Sequence, residues 1–130
     1  MQQQWLLVRG TGDRPLGRRI DADALRAHSS TRRPAVQRGD MALCYASVWQ
    51  SIFAVVEVVG DPEEEPSRRR WRWRFAIRPL QAIADLDDAP PVQAAGVFPS
   101  SVGRHSYIRL RQDQFDAGRE AIARASAAAT

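Results

Sequence analysis

Trp49 stands between Ser47 and Ser51, in a short stretch that separates two apolar runs, residues 41–46 and 52–59. A bulky indole in a loop has no strand face or helix face to serve. Flanked by hydroxyls, it has the parts needed to hold a planar ring: a surface for stacking and short polar groups for the ring's edge. A second group, Arg104, His105 and Ser106, enters the run 106–110 and adds guanidinium, imidazole and hydroxyl donors. Each group also has a plainer reading. Trp49 can cover the end of a barrel, loop serines form turns, and His105 alone fits a surface histidine. A third pattern lies in residues 68–78, where Arg70, Arg72, Arg74 and Arg78 alternate with Trp71, Trp73, Phe75 and Ile77. A period of two sends successive side chains to opposite faces, so this run predicts a half-buried strand. Its wet face carries guanidinium groups suited to phosphate, and Arg70, Arg72 and Arg74 are the candidate phosphate contacts. The plainer reading is a core strand with a solvated outer face.

Other chemistries are poorly supported. His28 and His105 are far apart, and Cys44 is the one cysteine, so no zinc-ligand spacing exists. Gly10-Thr-Gly12 lacks the lysine and the following helix of a phosphate loop. Asp85, Asp87 and Asp88 read as a solvated turn rather than a cation loop. No nucleophile, base and orienting group stand together. The expectation is no catalytic residue, no metal and no cofactor. Cys44 lies in an apolar run and predicts a buried thiol in a reducing compartment. The opening residues make no signal peptide, and no apolar run is long enough to span a membrane, so a soluble cytoplasmic protein is expected.

The 130 residues fit one domain. All 19 basic residues are arginine, and the net charge of +4 is moderately basic. Basic residues cluster at Arg32, Arg33 and Arg38 and again at 68–74; acid gathers at 63–65 and around Asp85.

The elements that must position these groups follow from pattern. Residues 5–8 form a short apolar strand, and a loop runs on to Arg19. A short helix over 21–27 is capped by Asp21, with Ile20 stapling onto Leu25. Residues 29–38 look irregular. Strands follow at 41–46 and 52–59, the second central because it is apolar on both faces. The arginine-aromatic strand comes next, and Pro79 ends its pairing. Leu80, Ile83 and Leu86 have helical spacing, and Pro90-Pro91 stops regular structure. A strand over 106–110 leaves open whether Tyr107 or Ile108 faces inward. A helix over 113–127 turns Phe115, Ile122, Ala117, Ala121 and Ala125 to one side. Trp5, Trp71 and Trp73 are assigned to the core. The class is α+β, with a largely antiparallel sheet curled into a barrel.

The order of motifs resembles the EVE domain, a member of the PUA-like superfamily related to the YTH and ASCH groups. The resembling segments are Trp5-Leu-Leu-Val8, the Arg38-Gly-Asp-Met41 entry into Leu43-Cys-Tyr-Ala-Ser47, and the run from Ile52 to Val59. Trp73-Arg-Phe-Ala-Ile-Arg-Pro-Leu80 and Ser106-Tyr-Ile-Arg-Leu110, followed by Asp113-Gln-Phe115, complete the match. The resemblance implies a five-stranded, mostly antiparallel twisted pseudo-barrel over residues 1–127, flanked by short helices and a C-terminal helix, with 128–130 as a frayed tail. It also implies a module that reads a flipped, methylated or otherwise modified base of DNA or RNA. Ser47, Trp49, Ser51, Arg104, His105 and Ser106 are the candidate pocket. The alternatives are an accessory subunit that docks an acidic protein through the arginine face, and an ASCH-like enzyme acting on a nucleoside. The chain departs from the family at Arg9-Gly10-Thr11, where EVE proteins carry an acidic-proline turn. It departs again at Ser30-Thr-Arg-Arg-Pro34, where they carry Gly-Val-Arg-Asn. Both departures lie near the expected ligand cleft.

Overall fold

The two most apolar runs make the centre of the molecule. The computed structural model describes residues 2–129. In it β3 (Met41–Ala46) is buried at every position and β4 (Ser51–Val58) at all but Glu57. Strands covered on both faces must be central, and the sheet order is β2-β6-β4-β3-β1-β7. Here β1 is Gln4–Arg9, β2 Ala27–Ser30, β6 Trp73–Ala82 and β7 Tyr107–Leu110. A two-residue strand, β5 (Glu63–Glu64), pairs with the start of β6. Pairing is antiparallel except between β1 and β3. The class and the curled sheet are as expected. The strand count is seven rather than five, because β2 and β5 have no apolar run to announce them.

The region expected to be a helix and then irregular chain divides differently. Asp21 caps as predicted, accepting from the Asp23 N–H, but the helix is one 3-10 turn, Ala22–Ala24. The chain then extends into β2, held by its pairing with β6 rather than by the strand propensity of Ala-His-Ser-Ser. Leu25 is buried beneath it.

β6 corrects the sequence reading at both ends. Phe75 and Ile77 are buried and Arg74, Ala76 and Arg78 exposed, so the alternation holds there. Trp73 is half-buried, with the Arg33 guanidinium 5.5 Å from its ring centre. Trp71 lies before the strand with φ +58, a left-handed conformation that a bulky residue rarely adopts. Pro79 does not end the pairing. Val56 faces Pro79 and Val55 faces Gln81, so Leu80 is the extra residue of a bulge and the strand runs on to Ala82. Beyond Ala76 no strand among the described residues pairs with the outer side of β6, which is where a strand tolerates proline. The helical spacing expected over 80–86 is therefore absent; Ile83 and Leu86 are buried after the strand instead.

Short turns at Leu86–Asp88 and Val92–Ala95 and the helix α1 (Pro99–Val102) lead into β7. On this edge strand Tyr107 and Ile108 are both half-buried, and Leu110 is the buried residue. Helix α2 (Gln112–Ala128) covers one face of the sheet with Phe115, Gly118, Ala121 and Ile122. Gly118 takes the place the sequence reading assigned to Ala117, which is exposed. A Cβ on Gly118 would collide with Leu43 and lie 3.1 Å from the Ala95 methyl, so the helix packs here only as glycine. Of the expected tail, Ala128 is the last helical residue and Thr130 lies outside the described residues.

The sheet curls until its outer strands meet. Arg9 at the end of β1 donates from Nη1 to the Ala27 carbonyl of β2 at 2.6 Å. The His28 Nε2 of β2 lies 2.8 Å from the Ser106 carbonyl, just before β7. Side chains, not ladder bonds, close the barrel here.

Candidate functional site

The C-terminal end of β1 gathers the candidate segments. The Ser47 N–H donates to the Arg9 carbonyl at 3.0 Å, and the Val8 N–H donates to the Ser106 carbonyl at 2.9 Å. The end of β1 thus lies between them, with the turn 47–51 on one side and Ser106 on the other. Trp49 is half-buried against the core, and its indole N–H donates to the Leu16 carbonyl at 2.9 Å. Ser51 is buried and its hydroxyl donates to the Trp49 carbonyl. Arg104 and His105 are exposed. In the same turn Val48 has φ +75 and Gln50 φ +57, while the Gln50 N–H reaches the Ala46 carbonyl. A β-branched residue at positive φ costs energy, so the turn is imposed by β3 and β4.

Beside this end, between β1 and β2, lies a cleft of about 300 Å³. Val8 and Leu16 supply apolar wall, Arg9, His28 and Ser29 supply polar groups, and Trp71 stands at its edge. The left-handed backbone at Trp71 turns this indole out of the strand's alternation and to the cleft, with the Arg70 guanidinium 5.5 Å from its ring centre. Gly10 (φ +77) starts the loop that brings Leu16 back; a Cβ there would meet the Leu16 nitrogen at 3.1 Å and the Arg14 carbonyl oxygen at 3.3 Å.

The polar side of the cleft is fixed by bonding. A carbonyl only accepts, so His28 donates from Nε2 to Ser106, and its Nδ1 accepts from Arg9 Nη1 at 3.1 Å. Burial, reinforced by the Arg9 charge, pushes the His28 imidazole down to about 4, against the raising effect of the Ser106 bond. It is neutral at physiological pH. Arg9 spends Nη1 on Ala27 and His28, and among the described residues it makes no hydrogen bond from Nε or Nη2.

No known family's sequence pattern matches the chain, and no curated protein does. Solved structures match over nearly all of it. Human THYN1, determined in complex with 5-methylcytosine-containing DNA, is 13% identical with a TM-score of 0.56, over 88% of this chain and 94% of that one. A mutant of the ASCH protein from Zymomonas mobilis is 12% identical with a TM-score of 0.53, over 88% and 95%. Rpa0253 from Rhodopseudomonas palustris, solved by NMR, is 14% identical with a TM-score of 0.62, over 93% of each chain. The fold is PUA-like. It is the fold that these solved neighbours share.

In this PUA-like barrel the arginine strip is less open than its sequence suggests. Arg72 lies 3.3 Å from Glu64 and Arg74 3.7 Å from Glu65, both from the hairpin that β5 makes with β6. These pairs are exposed and contribute little stability, but they lower the strip's positive potential. A second, larger cleft of about 550 Å³ sets Arg26, Arg38 and Arg74 against Asp61, Glu63 and Glu65, so its charges largely offset. Cys44 is fully buried, and burial pushes its thiol up to about 11. Among the described residues no cluster of three or more His, Cys, Asp and Glu could hold a metal, and no helix is long and apolar enough to cross a membrane.

Arg9, His28, Ser29 and Trp71 are the cleft residues that the sequence reading left out of its pocket. One signal existed. Arg9-Gly10-Thr11 marks the place where the chain leaves the EVE pattern after its first strand. Nothing local marks His28, whose role depends on a strand held by tertiary pairing.

Proposed function

We propose that this PUA-like domain binds nucleic acid and receives one extruded base in the cleft between β1 and β2. The observation that carries the reading is the pairing, in one cleft, of an indole held out of its strand with a fixed polar side. An extruded base needs a substitute for its lost stacking and polar groups for its edge. Trp71 supplies the first; Arg9 and Ser29 supply the second. Human THYN1, a PUA-like neighbour, was solved with methylated DNA, which supports DNA as the partner. The other candidate residues take supporting places in this reading. Trp49 props the Leu16 wall through its carbonyl bond, the Ser106 carbonyl holds His28, and Ser47 and Ser51 shape the turn. Arg104 and His105 are exposed, and with Arg70, Arg72 and Arg74 they provide the phosphate contacts. Val8 and Leu16 offer an apolar surface to a base methyl group.

The test is binding of a DNA duplex with one bulged nucleotide against the same duplex fully paired, across a range of salt, with cytosine or 5-methylcytosine at the bulge. The expected result is tighter binding of the bulged duplex. Its log affinity should fall with log salt at a slope of about −0.7 to −0.9 per neutralised phosphate. Charge reversal at Arg70, Arg72 and Arg74 should weaken binding to all sequences alike. Tighter binding of the methylated bulge supports methyl reading. Equal binding of bulged and paired duplexes rejects base reception.

A further inference from the structure

We infer that Arg9 selects among extruded bases, favouring those that present two adjacent hydrogen-bond acceptors, guanine and cytosine, over adenine, thymine and uracil. The inference rests on the cleft being a base site and specifies what that site reads.

Arg9 has already committed one of its terminal nitrogens. Both of its observed bonds leave from Nη1, to the Ala27 carbonyl at 2.6 Å and to His28 Nδ1 at 3.1 Å. Two partners on one nitrogen hold the guanidinium plane. His28 is itself held by Ser106, so the support is a chain of fixed groups rather than a solvated side chain. A burial-neutralised His28 keeps Nδ1 as an acceptor, which Arg9 requires. The opposite edge of the guanidinium, Nε–H with one Nη2–H, has no partner among the described residues. Among the described residues no fully buried side-chain nitrogen or oxygen lacks one, so these donors are not sealed in the interior. Arg9 lines the cleft, and a base seated there comes within reach of that edge.

Two parallel N–H groups on one planar edge fit two acceptors side by side. Guanine offers N7 and O6 in that arrangement, and cytosine offers N3 and O2. Adenine sets a donor beside each acceptor near its amino group. Thymine and uracil place N3–H between their carbonyls. For these three bases the fork would meet a donor or leave an N–H unpaired, and a donor that the bound base covers without pairing is costly. A methyl at cytosine C5 leaves N3 and O2 untouched, so this selection acts independently of methyl recognition.

The measurement is the affinity of four otherwise identical duplexes carrying a single bulged A, C, G or T. Bulged C and G should bind about tenfold more tightly than A and T, a typical discrimination for a bidentate arginine contact. Replacing the bulged base by 7-deazaguanine or 3-deazacytosine removes one acceptor and leaves the protein unchanged; each should lose that advantage. Arg9→Lys keeps the charge and a donor for Ala27 but lacks the fork, and should level the four affinities. Bulged duplexes that bind better than paired ones but equally among themselves would overturn the inference and leave the base site standing. So would deaza bases that keep the full preference. A folded Arg9→Lys protein with uniform loss across all four would assign Arg9 to phosphate, which also overturns it. No advantage of any bulge over paired duplex would instead defeat the base site itself.

Discussion

The two ends of β1 carry polar groups of opposite character. At its start, Asp40 is buried and fully occupied. One carboxylate oxygen accepts from the Gln3 N–H at 3.0 Å; the other accepts from the Trp5 indole at 2.8 Å and from the Gln37 N–H at 3.0 Å. At its end, six residues along the chain, Arg9 and His28 are also interlocked, yet an edge of Arg9 beside a cleft has no partner among the described residues. The tryptophans divide in the same way. Trp5 is buried with its N–H satisfied, while Trp71 is half-buried on a left-handed backbone. A polar network that serves only the fold satisfies all its members. One that leaves donors open, next to a strained aromatic, marks a place kept for something else.

The largest expected effect breaks the closed end. Asp40→Ala removes three acceptor contacts and leaves the buried Trp5 N–H unpaired. It should cost about 3 kcal/mol of stability, since each unsatisfied buried donor costs about 1–3 kcal/mol. Denaturant unfolding measures it. Oligonucleotide affinity per folded molecule should stay as in the wild type, because the cleft is at the other end of the strand.

The second effect tests His28 and depends on pH. Its pKa is about 4 in the fold against 6.5 for the free side chain. As pH falls, the unfolded chain takes up the proton first, so stability is fully present above about 6.5 and is lost as pH falls towards 4. The full difference corresponds to about 3 kcal/mol at 1.36 kcal/mol per pKa unit, as an upper bound. His28→Asn should flatten this part of the stability profile. An unchanged profile would show that the imidazole is not the group that titrates.

The smallest effect on stability belongs to Trp71→Gly. The change loses half-buried surface but relieves a left-handed backbone that costs roughly 1–2 kcal/mol for a side-chain-bearing residue. The net change should stay within about 1 kcal/mol, where truncating a buried aromatic such as Trp5 costs about 3–5 kcal/mol. Affinity for a bulged duplex should nevertheless fall by about 1–3 kcal/mol, the range for a base stacked on an aromatic. A large stability loss with unchanged binding would move Trp71 from the cleft to the core.

The contrast also explains what the sequence made legible. β1, β3 and β4 are apolar runs whose burial follows from composition, and α2 has helical spacing, so the class and the curled sheet could be read directly. Gly118 escaped because a helix face read from apolar residues does not register a glycine that fits by lacking a side chain. The cleft escaped for a different reason. The period-two pattern extends through Trp71 and Trp73 as if both were strand residues, but the β5–β6 hairpin starts the pairing at Trp73 and twists Trp71 aside. His28 sits on a strand that exists only because β6 offers it an edge. Trp49 was the loop tryptophan visible from sequence, and its N–H is already taken by Leu16. The two candidate segments flank the end of β1 rather than touch each other, and the open donors beside them belong to residues paired across the sheet.

The most direct test of the central claim follows the four indole N–H resonances by NMR as a duplex with one bulged cytosine is added. The Trp71 resonance should shift and saturate with the binding curve, while that of Trp5, locked to Asp40, stays in place. Saturable binding that moves the Trp73 or Trp49 signal and leaves Trp71 unperturbed would contradict a base held in the β1–β2 cleft.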